Sequence, residues 1–214
     1  MFPSLRLDVM ERFTGAKQLF RNSRKGLGKG ELPQAVKGLS FVQIYAIYEH
    51  TVREVTRLAI KEIANHAHPY SNLKFHLLAI FLDPQMKSLR DCGESDVWQR
   101  RFELLEQAAS EKPVVSVEVM PHDGSHFKHT QVELMLKMLG VRKTLTYRKR
   151  HLYEIDEIVH NRNTISHGEE PAASVGRRYS RADIWKSFHM MERTCLRLIQ
   201  IVSEHCSAPE QHRD

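Results

Sequence analysis

The sequence predicts an all-α fold, a helical bundle with an irregular mid-chain insertion. Three observations predict it. Phe41, Tyr45, Tyr48, Val52, Val55 and Ala59 alternate steps of four and three, which is one continuous apolar stripe on a long helix. Ile184, Phe188, Met191, Cys195, Leu198 and Val202 repeat those steps near the other end of the chain. Leu152, Ile155 and Val159 mark the inward face of a third helix between them. Seams this long must pack lengthwise on partners, and together they make a bundle.

Taken in order, a short first helix over about residues 5–20 is followed by the break Gly26-Leu27-Gly28-Lys29-Gly30-Glu31-Leu32-Pro33. Residues 1–30 thus read as an N-terminal helix and basic linker, and the long helix starts after Pro33. Residues 66–130 are the least regular part, an expected insertion or cap within one domain spanning 1–214. Short helical patterns lie there near 73–82 and 97–109. The alternating, β-branched run from Pro113 to Pro121 reads as a short extended strand. Residues 131–139 resume a helix that Gly140 stops. The third strong helix covers 148–165, with positions 162 and 166 continuing its inward stripe, and Ser166-His167-Gly168 then Pro171 mark its end. A short polar loop leads to the last helix, which Ser180 and Asp183 open as a capping box.

A length of 214 residues and 41% hydrophobic content allow a full core. Cys92, Cys195 and Cys206 have no C-x-x-C spacing, and their odd number argues against a disulfide framework and for a reducing cytosol, with Cys195 a core residue. No apolar run approaches the length of a membrane span, and the charged start of the chain is unlike a signal peptide, so a cytoplasmic protein without a membrane partner is expected. The net charge of +6 is unevenly placed. Lys17, Arg21, Arg24, Lys25 and Lys29 form one basic stretch; Arg142, Lys143, Arg148, Lys149 and Arg150 form another, one helix before the most reactive residues of the chain. The second is the expected RNA-binding surface, although a merely solvated face has the same composition.

Those reactive residues lie in His160-Asn161-Arg162-Asn163-Thr164-Ile165-Ser166-His167-Gly168. Arg162 offers a planar, permanently charged fork for a phosphate, Asn163 an orienting amide, and His167 a proton-transfer group near neutral pH. That trio can cut RNA without a metal. With 19 Arg and 13 His in the chain, an Arg followed by a His after four to six residues should arise by chance roughly three times, so the surroundings must supply specificity. Here the trio ends a core helix, Asn163 follows the arginine directly and Gly168 follows the histidine directly. Arg162 falls at the edge of the buried face, where an unpaired guanidinium is costly and an anion should meet it.

The arrangement resembles the HEPN superfamily, whose bundles carry an Arg, a polar residue and a His after four to six intervening positions. Asp156 to Glu169 is similar to the pattern D-x-hydrophobic-x-x-x-R-N-x-I-x-H-G-E, with Ser166 where a small Ala is common. Tyr45 to Val55 resembles the aromatic-Glu-x-x-Val signature of the branch named for its RiboL-PSP association. The resemblance implies a homodimer across the Arg162 and His167 face, a composite cleft, and RNA as substrate and partner. It also implies a toxin or effector in prokaryotic defence, with an antitoxin or other defence protein as further partner. In the implied chemistry a ribose 2′-hydroxyl attacks phosphorus, His167 moves a proton and Arg162 stabilises the phosphorane, giving a 2′,3′-cyclic phosphate and a 5′-hydroxyl end. A symmetric pair of His167 side chains would fill both proton roles. Glu49 and Arg53 are supporting candidates or an ordinary intrahelical ion pair. The alternatives are a non-catalytic module of the same family that binds RNA, nucleotide or a partner protein, and a structural protein in which Arg162 only pairs within the bundle.

His122, His126 and His129, with Asp123, invite a metal reading, but their spacing matches no familiar zinc pattern and a polar His-rich loop explains them more cheaply. No metal and no cofactor are expected. Tyr45 and Tyr48 read as core aromatics on the long seam, and Met190 and Met191 as packing residues.

Overall fold

The computed structural model describes residues 2–23, 30–121, 126–146 and 148–207. Arg24, Lys25 and Lys29 of the first basic stretch, together with His122 and Asp123, lie outside the described residues. The framework is the long helix α2, Glu31–Asn65, against which α1 (Pro3–Asn22), α7 (Lys149–Ser166), α8 (Ala172–Arg177) and α9 (Arg181–Cys206) pack. Every residue of the two predicted seams is fully buried on α2 and α9. Aromatics close the α1 end, where Phe20 packs edge-on against Trp185 and beside Phe188 with ring centroids 5.5 and 5.8 Å apart.

Local sequence rules account for most helix boundaries. Pro33 falls inside the first turn of α2 rather than before it, because the first-turn amides have no intrahelical acceptor and proline removes nothing there. The capping box at Ser180 forms, its side chain accepting from the Asp183 amide while Asp183 accepts from the Ser180 amide. The helix α6, His129–Met138, stops just before Gly140 as the sequence predicts. Between α2 and α6, the segment folds as α3 (Phe75–Phe81), α4 (Asp83–Asp91) and α5 (Val97–Ala108).

Three expectations are corrected. The run from 113 to 121 forms no strand; its ladder contacts are a bridge between Pro69 and Pro113 and a hydrogen bond from the Val114 amide to the His68 carbonyl at 2.9 Å. Alternation makes a chain extended, but a strand needs a neighbouring edge, and none is offered among the described residues. The polar loop before α9 contains α8, which is too short to show a period in sequence. Its position is fixed by close approach to α2: a Cβ on Gly38 would lie 2.0 Å from the Ala172 carbonyl oxygen, and one on Gly176 would lie 1.9 Å from that of Gln34. Finally, Ser166 is exposed, and the last turns of α7 bury Asn161 and Thr164 instead. Asn161 is held by Tyr179, two residues past the end of α8, whose hydroxyl accepts from the Asn161 amide at 2.8 Å and donates to Glu157 at 2.8 Å. Lys37 donates to the Tyr179 carbonyl, and Phe41 packs edge-on against its ring.

Candidate functional site

The C-terminal end of α7 is held from both sides. Toward the core, Ile155, Ile158 and Val159 are buried against α2 and α9. At the terminus, Gly168 takes φ +73°, a left-handed conformation that a side chain disfavours. The Gly168 amide donates to Ile165 at 3.1 Å and the Glu169 amide to Thr164 at 3.0 Å, the paired bonds of a Schellman stop. His167 is therefore fixed at the C-cap while its side chain stays exposed.

One and a half turns earlier, Arg162 is half-buried. Its guanidinium carbon sits 4.6 Å from the centre of the Tyr45 ring, and Nη1 donates to Asn163 Oδ1 at 3.0 Å. The third contact is unforeseen from sequence: His126 Nδ1 lies 3.4 Å from the same Nη1. The His126 ring also stands 6.0 Å from that of His167 and edge-on to Tyr45 at 6.4 Å. Arg162 is thus a cation gripped by a neutral amide, an aromatic face and an imidazole. Among the described residues it forms no ion pair, so its positive charge is oriented without being neutralised there, as an anion-binding group requires.

The segment that delivers His126 is itself anchored. Phe127 is buried, and its amide donates to the Tyr45 hydroxyl at 3.3 Å. His129 donates its backbone amide to Asp156 Oδ1 at 2.9 Å and places Nδ1 2.8 Å from Oδ2. Burial, then the Arg162 and His167 charges, push the His126 imidazole below its ordinary value, with Glu49 opposing. Its neutral form therefore prevails near pH 7. Tyr45 is a core aromatic as expected, yet its face carries the arginine.

The supporting and basic residues divide. Glu49 and Arg53 form an i, i+4 ion pair at 2.9 Å on the α2 face that bears Tyr45, and the Arg53 guanidinium covers the Phe127 ring at 5.4 Å. Arg148 and Arg150 line an open cleft of about 620 Å³ with Trp185, Lys186, His189 and Arg193. At 1.5 Å per residue, Arg150 lies about 18 Å from Arg162 along α7, so this cluster and the trio occupy opposite ends of one helix. Lys149 is exposed beside it. Arg142 and Lys143 belong to a separate cavity of about 280 Å³ shared with Lys74, His76 and His205. Arg148, Lys149 and Arg150 thus stand a helix length from the trio, and Arg142 and Lys143 line a different cavity from Arg148 and Arg150. His129 turns to Asp156 and His126 to Arg162, and no group of three or more potential ligands assembles among the described residues.

Sequence reasoning singled out Arg162, Asn163 and His167 as candidates because one helix end carries them. It weighed His126 only as a metal ligand or a loop residue, and did not foresee its approach to Arg162, 36 residues away in the chain. The available signal was Phe127, a large apolar residue inside a polar His-rich run that had to be buried somewhere.

The fold is an all-helical bundle, with an arginine, an amide and a histidine gathered at the end of a core helix. The chain belongs to the HEPN superfamily: residues 13–210 match the family model described as HEPN_MAE_28990-like HEPN. No curated protein and no solved structure matches it. HEPN domains are often ribonucleases, and they often dimerise and bind RNA. No helix among the described residues is long and apolar enough to cross a membrane.

Proposed function

We propose that this protein is a metal-independent endoribonuclease. The observation that carries the reading is Arg162 held by Tyr45, Asn163 and His126, with the His126 ring 6.0 Å from that of His167. An RNA phosphate meets the guanidinium, the adjacent 2′-hydroxyl attacks phosphorus, and the P–O5′ bond breaks. The products are a 2′,3′-cyclic phosphate and a 5′-hydroxyl end, and DNA resists because it lacks the nucleophile. Asn163 sets the orientation of Arg162, Glu49 and Arg53 support the α2 face beneath it, and Ser166 lies beside His167 as a neutral neighbour. Arg142, Lys143, Arg148, Lys149 and Arg150 draw in the RNA backbone away from the cleavage point. Two copies meeting across the Arg162 and His167 face form a longer cleft for the strand. A cytoplasmic toxin or effector in prokaryotic defence, restrained by an antitoxin or another defence protein, fits this activity.

The test is digestion of total RNA in EDTA by wild type, Arg162→Ala and His167→Ala. Cyclic-phosphate ends from the wild type, lost in both variants, are the expected result. A wild type that cuts nothing, or three proteins that cut alike, would overturn the nuclease reading and leave an RNA-binding module.

A further inference from the structure

The cleft between the first turns of α7 and the middle of α9 holds more than charge. Trp185 and His189 stand one turn apart on α9, with their rings 25° from parallel and their centroids 6.0 Å apart. Trp185 is supported from the core, edge-on to Phe20 and tilted against Phe188, while His189 is exposed. Cations line both walls, Arg148 and Arg150 from α7 and Lys186 and Arg193 from α9. Resting on the reading of RNA as substrate, we propose that this cleft is a base-stacking subsite for single-stranded RNA. The Trp185 and His189 rings take the flat face of a nucleobase, and the cations of the two walls take the phosphates on either side of it.

Much of the positive charge there is uncompensated. Glu154, the acid of the lining, is already paired with Arg150 at 2.8 Å, and Lys186 reaches Asp183 at 3.7 Å. Arg148 and Arg193 form no salt bridge among the described residues. No acid stands in the first turn of α7, so Arg148, Lys149 and Arg150 face the positive end of the helix dipole, where cations are unfavourable until an anion joins them. An acidic peptide would satisfy these cations and leave the rings unused. A single strand uses both, because every nucleotide brings one phosphate and one π face, whereas a duplex keeps its base faces inside its own stack.

Position ties the cleft to the reacting end of α7. At 100° per residue, Arg148 and His151 point within about 40° and about 20° of the direction of Arg162. The cleft and the arginine thus open on one side of the helix, about 18 Å apart along it. A strand anchored by one base in the cleft runs along α7 to Arg162, and the anchor sets how far from that base the cut falls.

Trp185 reports on its own site, because the chain has two tryptophans and the other, Trp98, is exposed outside the cleft. The experiment is a fluorescence titration of Trp98→Phe, with and without His189→Ala or His189→Phe, using a twelve-residue 2′-O-methyl oligoadenylate. That strand keeps its bases and offers no 2′-hydroxyl, so it is not cut. An abasic strand of equal length, the same sequence as a duplex, and oligoglutamate are titrated beside it, and melting temperatures are measured. The single strand should quench Trp185 and the abasic strand and duplex should not. His189→Ala should weaken single-strand binding about tenfold at unchanged melting temperature, and His189→Phe should restore it. Equal quenching by the abasic strand, or unchanged affinity in His189→Ala, overturns the subsite. Quenching by oligoglutamate but not by oligoadenylate assigns the cleft to an acidic protein segment and overturns it too. Cleavage of unmodified RNA, followed in parallel, separates the two readings: a protein that cuts without quenching loses the subsite alone, and one that quenches without cutting keeps the subsite and loses the nuclease.

Discussion

The two ends of α7 are both basic, and they differ in how the charge is held. At the N-terminal end Arg148, Lys149 and Arg150 are exposed, and Arg150 is already paired with Glu154 at 2.8 Å. At the C-terminal end Arg162 stands with neutral partners on a terminus pinned by a Schellman stop and by Tyr179. Screening weakens the first set and side-chain freedom disperses it. The second offers one fixed cation beside two imidazoles. Charge density can recruit a polyanion, but only a fixed constellation does chemistry on it.

The largest expected effect sharpens that contrast. Arg162→Ala should lower the RNA cleavage rate by about 10²-fold or more, as loss of a charge that stabilises the transition state does, while Arg150→Ala should leave the rate within about twofold. Initial rates on one oligonucleotide decide it, and equal losses at both ends would break the comparison. Next comes the support of the C-terminal end. Gly176→Ala forces a methyl against the Gln34 carbonyl and should destabilise by about 2 kcal/mol in urea unfolding, since backbone must give way on both sides. Asn161→Ala leaves the Tyr179 hydroxyl without its buried donor and should cost about 1 kcal/mol by the same measurement.

Smaller again is the N-terminal end itself. Replacing Arg148, Lys149 and Arg150 together by Ala should flatten the salt dependence of single-stranded RNA binding by about 2 in log–log slope, with the cleavage pattern unchanged. The smallest effect concerns the cavity that Arg142 and Lys143 line. Burial, then Lys74 and His205, push the His76 imidazole below its ordinary 6.5. Between those two values the unfolded chain binds a proton that the folded chain refuses, so this contribution to stability is complete above pH 6.5 and is lost as pH falls through the lower value. His76→Gln should therefore shrink the drop in urea midpoint between pH 7.5 and pH 5, an outcome absent if the ring titrates freely.

Much of the bundle was legible because its physics is periodic. Tyr48, Val52, Phe188 and Leu198 announce their burial by spacing alone, and each is fully buried. Cys195 was readable as core on the same seam, and burial pushes its thiol up to about 12. Less legible was the face of α7 near its end. The stripe through Ile155 and Val159 continues to Arg162, but Asn161 and Thr164 are the residues buried, Asn161 against Tyr179, which follows a six-residue helix too short to show a period in sequence. The run from Pro113 to Pro121 has the composition of a strand and lacks the neighbour that makes one.

By itself the sequence determined the all-α class, the two long seams and the placing of Arg162, Asn163 and His167 at one helix end, since each depends on neighbours within a few turns. Tertiary structure alone decided that Arg162 rests on Tyr45, that α8 docks through Gly38 and Gly176, and that His126 comes to the arginine across 36 residues. The physical reason is range: helical period and capping are local, whereas the anchoring of Phe127 and His129 that delivers His126 depends on packing partners far away in the chain.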